Sequence, residues 1–455
     1  MIAERADALV LFGITGDLAA KKLFPALYNL TARNRLPNRV VGVASTEWDV
    51  DQLRKHARKS LEKLDLDIDD KVFAEFSDAL RYVAGDYRDA NTYERLSIEL
   101  NDHTKPVCYF AIPPFLFPDV IRGLSSVDKE RAMRLVLEKP FGRDLKSAKE
   151  LNQILHEAYP EDSIFRIDHF LGKEPVQNLI VFRFANSILE PLWNRYFIDS
   201  IEITMAESFG VEGRGGFYDG IGATRDVVQN HLLQMVALLA MEPPVSDAPD
   251  ALRDERAKVL TAMKALEPDD VVRGQYDGYR QESGVSEDSD TETFVAARTE
   301  IDSWRWAGVP WTIIAGKHLP ETLTQAIVRF KKPPQAFFAD PANAPSPNFL
   351  RFEMKPKDQI TLSLQTKRPG SALVSRPVGL QIIEPENQPA RRDAYERLLD
   401  DALSGDSRRF ARQDAVEAAW RIIEPVLNDP EPVHPYFKGN WGPPAARHLT
   451  KGLTE

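Results

Sequence analysis

The stretch that most restricts the fold lies near the N-terminus. Residues 8–12, ALVLF, form an unbroken apolar run, the pattern of a strand buried on both faces of a parallel sheet. GITGDLA follows at 13–19, then a helix-like stretch over 20–30 in which Leu23, Leu27 and Leu30 recur at helical spacing. Strand, glycine turn and helix in that order open a dinucleotide-binding fold. Gly13 permits the tight turn, Gly16 lets backbone amides approach a pyrophosphate, and the small Ala19 lets the helix pack close to the strand. Phosphates would then face a helix N-terminus, where free N–H groups and the helix dipole favour negative charge. The alternative is a purely structural turn, and the flanking strand and helix favour the nucleotide.

Further apolar runs at 39–44, 80–84, 106–112 and 132–137 alternate with helical stretches. That alternation predicts a doubly wound parallel sheet with ligands at the carboxyl ends of its strands. The position after the second strand usually declares the cofactor, a carboxylate for the ribose diol or an arginine for a 2′-phosphate. Ser45 and Thr46 stand there, with Glu47 beyond and Lys21 and Lys22 as cations on the first helix, so the signal is ambiguous. Gly85 and Asp86 close the third strand, and EKPFG (138–142) closes the fifth. Lys139 is then either a solvated loop lysine or an ammonium pointing into the ligand crevice, with Pro140 fixing a turn beside it.

At 455 residues the chain exceeds what one hydrophobic core usually holds, and two domains are expected, 1–170 and 171–455. Past 174 the pattern changes: 200–205, 360–364 and 380–383 read as antiparallel strands with one polar face, and 311–314 as another strand. Residues 221–241 read as a long apolar helix, 394–403 and 415–424 as amphipathic helices, and 286–290, 341–347 and 384–389 as loops. The fold class expected is therefore a Rossmann-like doubly wound parallel sheet followed by an α+β domain with a large, mainly antiparallel sheet and helices. No apolar run is long enough for a membrane span, and the N-terminus lacks a signal-peptide pattern, so a cytoplasmic protein with no membrane partner is expected. The lone Cys108 excludes an intramolecular disulfide and a thiolate-cluster metal site, and its apolar surroundings make it a small core residue. No metal is expected. A net charge of −11 argues against a nucleic-acid surface while leaving room for a small anionic substrate.

FRIDHFLGKE (165–174) packs Asp168, His169 and Lys173 into six positions. Were the segment helical from His169, the imidazole and the ammonium would share one face and clamp a phosphate. The competing reading is an ordinary helix start, capped by Asp168, with Lys173 solvated. His231, in the helix-like stretch 221–241, is either a satisfied core histidine or a general base, the commonest such group near neutral pH. A carboxylate on its other nitrogen would orient it, and Asp168 is the natural partner if the two halves meet there. The loop 207–216 carries Glu207, Glu212 and Arg214 toward that helix, whose first part also holds Asp226. Lys317 follows a strand and is a candidate for substrate hydroxyls, while the aromatic cluster at 304–311 reads as core.

Together these segments resemble the glucose-6-phosphate dehydrogenase family. The resemblance rests on GITGDLA, EKPFG, RIDHFLGKE (166–174), RDVVQNHLLQ (225–234), TETFVAARTEIDSWRWAGVP (291–310) and DAYERLLDDALSGD (393–406), in the family's order and across nearly the whole chain. It implies oxidation of D-glucose 6-phosphate at C1 to 6-phospho-D-glucono-1,5-lactone, with hydride passing to NADP (the family default) or NAD, at the opening of the pentose phosphate pathway. Residue by residue it implies His231 as general base paired with Asp168, and His169 and Lys173 on the phosphate. Lys139 would serve substrate and cofactor, and Glu207, Asp226 and Lys317 the sugar hydroxyls. Gly13, Thr15, Gly16, Asp17, Leu18, Ser45, Asp86 and Lys139 would bind the cofactor. A homodimer or homotetramer formed through the large sheet is implied as well. Three positions depart from the family pattern: Phe170 replaces a tyrosine, Thr322 replaces a frequent cation, and Ser45 replaces the arginine common in NADP-dependent members. Two other function classes fit the same residues, a non-catalytic or regulatory paralogue and a dehydrogenase of another sugar phosphate.

Overall fold

The computed structural model describes residues 4–127, 131–333, 344–370, 373–383 and 392–450. Two compact units account for it, one comprising 1–174, 244–254 and 390–417, the other 175–243, 255–389 and 418–455.

The first unit is built on a seven-stranded sheet. Its strands are β1 (Ala8–Phe12), β2 (Val40–Ala44), β3 (Leu80–Ala84), β4 (Pro106–Phe110), β5 (Arg134–Leu137), β6 (Ile164–Ile167) and a short β15 (Phe410–Ala411). The order is β15-β6-β5-β4-β1-β2-β3, all parallel except the β15–β6 pair. This is the doubly wound order, with β1 central. Every side chain of β1, β2 and β4 is buried, as their continuous apolar sequences require. The units are not contiguous in sequence because the helix Ala394–Ser404 buries Leu398, Leu399, Ala402 and Leu403 in the same core as Leu9, Leu11 and Leu27. Cys108 lies in that sheet, fully buried.

The second unit carries a nine-stranded sheet. It comprises β7 (Ile198–Ala206), β8 (Val271–Tyr276), β9 (Phe294–Thr299), β10 (Trp311–Gly316), β11 (Leu323–Phe330), β12 (Phe349–Lys355), β13 (Gln359–Lys367), β14 (Ser375–Ile383) and β16 (His434–Tyr436). The order is β14-β13-β12-β11-β7-β10-β9-β8-β16. Most pairs are antiparallel, but β7–β10 and β8–β16 are parallel. The intervening helices and the β8–β9 hairpin give the chain length enough to return and lay β10 alongside β7 in the same direction. That exception to an antiparallel reading matters for the site.

In the aromatic cluster, Trp306 and Trp311 are buried edge to face at 5.2 Å, while Trp304 is exposed. The loop expected at 384–389, and 341–343 of that expected at 341–347, lie outside the described residues. Among the described residues no helix is long and apolar enough to cross a membrane.

Candidate active site

In the first unit the predicted cofactor residues fall at the carboxyl edge of the sheet. Gly13 follows β1 with φ +83°, and a Cβ there would meet the Ala111 carbonyl oxygen at 2.2 Å, so this turn admits only glycine. The Gly16 N–H donates to the Gly13 carbonyl at 3.0 Å and closes the turn. The Thr15 and Thr46 hydroxyls lie 3.2 Å apart, tying the first turn to the end of β2. Asp17 and Leu18 are already helical and the Ala20 N–H donates to the Gly16 carbonyl at 3.1 Å, so the helix starts directly from the glycine turn, where its first N–H groups and dipole favour an anion. Ser45 is exposed beyond β2, and Asp86, beyond β3, accepts from the Arg88 N–H at 2.9 Å. The cations of the first helix already have partners. Lys21 pairs with Asp17 at 2.9 Å, which holds that carboxyl below its usual range, and Lys22 pairs with Asp393 at 3.5 Å. Lys139 stands at the end of β5, and its peptide bond to Pro140 is cis.

The segment after β6 corrects the helical expectation. His169–Gly172 forms a single 3₁₀ turn, Lys173 is extended, and an α-helix begins only at Glu174 (Glu174–Phe184). Pro175 explains the break, since a proline fits the first turn of a helix and would disrupt one running through from His169. His169 and Lys173 therefore do not share a helical face. Asp168 caps the turn, its Oδ1 accepting from the Phe170 N–H at 2.9 Å, so the capping reading of this carboxylate holds. The Lys173 ammonium sits 3.9 Å from the centre of the buried Phe170 ring, a cation–π contact where the family pattern has a tyrosine. The turn rests on the helix Ala394–Ser404. Tyr395 stacks on His169 with rings 10° from parallel, Arg397 donates to the Gly172 carbonyl at 2.6 Å and pairs with Glu174 at 3.1 Å, and a Cβ on Gly172 would meet the Ala394 carbonyl at 2.9 Å.

In the second unit the parallel β7–β10 pair sets the geometry. Gly316 lies opposite Ala206, so both strands end together and Glu207 and Lys317 leave side by side. The Lys317 ammonium donates to Glu207 Oε2 at 2.5 Å and lies 5.0 Å from the ring centre of the buried Tyr218. Both Glu207 and Asp226 act on the Tyr218 phenol electrostatically, and its pKa is raised mainly by burial. Thr322 accepts from the Ser208 N–H at 3.1 Å and so pins the loop after Glu207 instead of offering a cation. Glu212 is turned back onto its own loop, accepting from the Gly210 N–H at 3.0 Å.

His231 is 4% exposed and sits in a widened, π-helical stretch, Thr224–Leu232, that continues as the α-helix Leu233–Ala240. An i→i+5 turn stacks residues five apart, which puts Asp226 and His231 on one side, and π-helical turns cluster at functional sites. Both ends of this helix are held. At its start, Glu292 accepts from the Thr224 N–H at 2.9 Å and from Arg273 at 3.1 Å. Gly222, φ +68°, is bare because a Cβ would strike that carboxylate at 2.6 Å. At its end, Arg183 donates to the Leu238 and Met241 carbonyls, Trp193 to Leu239 and Trp306 to Ala240, all at 2.7–2.9 Å.

Sequence reading missed Thr46 as a tie to the glycine turn, Tyr218 beneath the Glu207–Lys317 pair, and Tyr395 and Arg397 under His169. Tyr395 and Arg397 lay in a stretch the motifs had singled out, DAYERLLDDALSGD, and Thr46 stood at the noted end of β2, but their contacts were not read. These contacts join residues far apart in sequence, and no local spacing signals them.

A doubly wound sheet with a glycine turn, carried with a buried imidazole and a carboxylate–ammonium pair in one chain, defines the class of dinucleotide-dependent dehydrogenases of polar substrates. Residues 10–178 match the family described as glucose-6-phosphate dehydrogenase, NAD binding domain, and residues 180–454 match glucose-6-phosphate dehydrogenase, C-terminal domain. The chain is 45% identical over 449 residues to glucose-6-phosphate 1-dehydrogenase 1 of Mycobacterium tuberculosis, covering 98% of this chain and 95% of that protein. It is similar to a crystal structure of glucose-6-phosphate 1-dehydrogenase from Mycobacterium avium, with TM-score 0.90, 45% identity and 98% of each chain covered. A glucose-6-phosphate dehydrogenase in complex with its substrate glucose-6-phosphate is similar at TM-score 0.92 and 35% identity, over 99% of this chain and 98% of that one. The chain belongs to the glucose-6-phosphate dehydrogenase family.

Proposed function

We propose that the protein oxidises D-glucose 6-phosphate at C1 to 6-phospho-D-glucono-1,5-lactone, the opening step of the oxidative pentose phosphate pathway. The observation that carries this reading is family membership along nearly the whole chain together with retention of the catalytic and substrate residues expected, Asp168, His169, Lys173, Glu207, Asp226, His231 and Lys317. The first unit is assigned to the cofactor and the second to substrate binding and oligomerisation. His231 is the general base that takes the C1 hydroxyl proton, and Asp168 the carboxylate that orients it and stabilises its charged form. His169 and Lys173 hold the phosphate as paired donors. Lys139 serves substrate and cofactor, and Glu207, Asp226 and Lys317 fix the hydroxyls, so that the hydrogen on C1 is presented in one orientation. The bound dinucleotide supplies the hydride acceptor.

Formation of reduced nicotinamide from glucose 6-phosphate, followed spectrophotometrically, tests the activity. His231→Asn should lower kcat by roughly 10²–10⁴-fold, the usual contribution of a general base. Activity near that of the parent would overturn the mechanism.

Cofactor preference is proposed to be relaxed. Ser45 brings no cation to a 2′-phosphate, and Lys21 and Lys22 are engaged with Asp17 and Asp393. The kcat/KM ratio for NADP over NAD should therefore lie below about a hundredfold, near 2.7 kcal/mol, and Ser45→Arg should shift it toward NADP by about tenfold. A larger native ratio rejects the proposal. A homodimer or homotetramer is proposed, with self-association through the β12–β14 end of the large sheet, and the cytoplasm is the compartment expected for a sugar phosphate substrate.

A further inference from the structure

Behind His169 lies a group of polar side chains, one buried and two part-buried, that the roles above leave unused. Glu138 directly follows β5 and is part-buried. Tyr109 of β4 donates its hydroxyl to Glu138 Oε1 at 2.5 Å. The Tyr395 hydroxyl, from the helix Ala394–Ser404, approaches the same carboxyl. The Tyr395 ring lies 6.1 Å from the His169 ring, centre to centre, and within 10° of parallel. The backbone of Tyr395 is fixed too: its N–H donates at 2.8 Å to Asp393, the cap of its helix, and Asp393 pairs with Lys22 of the first helix. Tyr395 is thus held at both ends, with one face against the imidazole.

We propose that Glu138, Tyr109 and Tyr395 form a positioning relay that locks the His169 ring in the orientation that receives the substrate phosphate. It rests on the proposed role of His169. Glu138 fixes the Tyr395 hydroxyl, the tyrosine ring limits rotation of His169 about its side-chain bonds, and the imidazole N–H is then aimed before the anion arrives. Preorganisation of this kind affects substrate affinity and leaves the chemical step alone. The relay contains a titratable member. Burial, with a smaller push from Asp168, raises the Glu138 pKa to about 7 against the opposing pull of Tyr109 and Lys139. The charged and titratable groups facing it are Tyr109 from β4, Tyr395 from the C-terminal helix, its neighbour Lys139, and Asp168 beyond β6.

The test compares Tyr395→Phe, Glu138→Gln and the double variant, with His169→Gln as reference, in the full-length protein. Loss of one hydrogen bond predicts that Tyr395→Phe and Glu138→Gln each raise KM for glucose 6-phosphate by roughly threefold to tenfold, with kcat within about twofold. The double variant should be no worse than the more impaired single variant, since both break the same link. The KM–pH profile of the parent should carry a break near neutrality that Glu138→Gln removes. If both single variants keep the parental KM, or if kcat falls as much as KM rises, the relay is overturned. His169→Gln separates the two levels of inference. An unchanged KM in that variant rejects the phosphate role of His169 itself, whereas a raised KM there with parental values for Tyr395→Phe and Glu138→Gln rejects only the relay.

Discussion

Phe170 shows how one ring edits a binding site. Its face holds the Lys173 ammonium at 3.9 Å, so the cation is placed even without the hydroxyl that the family pattern would supply. A tyrosine keeps that face and adds a donor. A hydrogen bond to a charged group contributes roughly 1.5–3 kcal/mol, and Phe170→Tyr should therefore lower KM for glucose 6-phosphate by about tenfold or more. An unchanged or higher KM would sink the assignment of this turn to the phosphate. Glu138 makes a second prediction at this scale. Its folded pKa of about 7 lies above the ordinary 4.5, so between those values the folded state holds a proton that the unfolded chain has released. Stability from this group is therefore complete at low pH and is lost as pH rises through that window, by an amount on the order of 3 kcal/mol. Glu138→Gln removes the slope. Urea unfolding at pH 5 and pH 8 should show the variant losing less stability than the parent, and parallel losses would contradict the buried-carboxyl picture.

At the scale of elements, the helix bearing His231 is defined by its ends. Its last four carbonyls, which a helix leaves without internal partners, are taken by Arg183, Trp193 and Trp306, and its first amides by Glu292. Trp193→Phe retains most of the buried ring and deletes only the donor to Leu239. The orphaned carbonyl should cost about 1–3 kcal/mol of unfolding free energy while kcat falls less than twofold. A large loss of kcat would mean that this cap tunes the base as well as holding the helix. How much was legible beforehand differs between elements for physical reasons. The apolar runs of β1, β2 and β4 announced a parallel sheet because burial on both faces leaves an unbroken hydrophobic string. The helical reading of His169 to Lys173 failed, although Pro175 was in view and forbids a helix through that point. The widened turns from Thr224 to Leu232 were not legible, because i→i+4 and i→i+5 bonding leave no distinct mark on an apolar periodicity. The parallel β7–β10 pair, which brings Glu207 beside Lys317, depends on a return of the chain across many residues that spacing does not reveal.

At the scale of the whole molecule, the same limit governs the recruitment of residues 390–417 into the first unit, where Leu398 and Leu403 complete a core begun by Leu9. Long-range burial of this kind is written in amphipathicity, which says that a helix has a partner without saying which. Among the described residues, one apolar sheet face that is covered at β12 becomes exposed toward β14. Across β12, β13 and β14, residues directly opposite one another share a face, so Phe352, Ile360 and Ile382 form one row and Leu350, Leu362 and Leu380 the next. Exposure rises along the first row from 5% at Ile360 to 60% at Ile382, and Leu380 reaches 55%. Contiguous apolar surface at a sheet end marks an interaction site, and a second copy of the chain is the occupant the family resemblance implies. Replacing Leu380 and Ile382 together by glutamate places two like charges on that face, and because both side chains are already exposed the protomer should still fold. Light scattering coupled to size exclusion should then report a reduction from the parental oligomer to monomer or to a smaller assembly, with a lower thermal transition that depends less on protein concentration than the parent's. An unchanged mass, in a variant whose far-ultraviolet dichroism matches the parent, would place self-association elsewhere on the molecule.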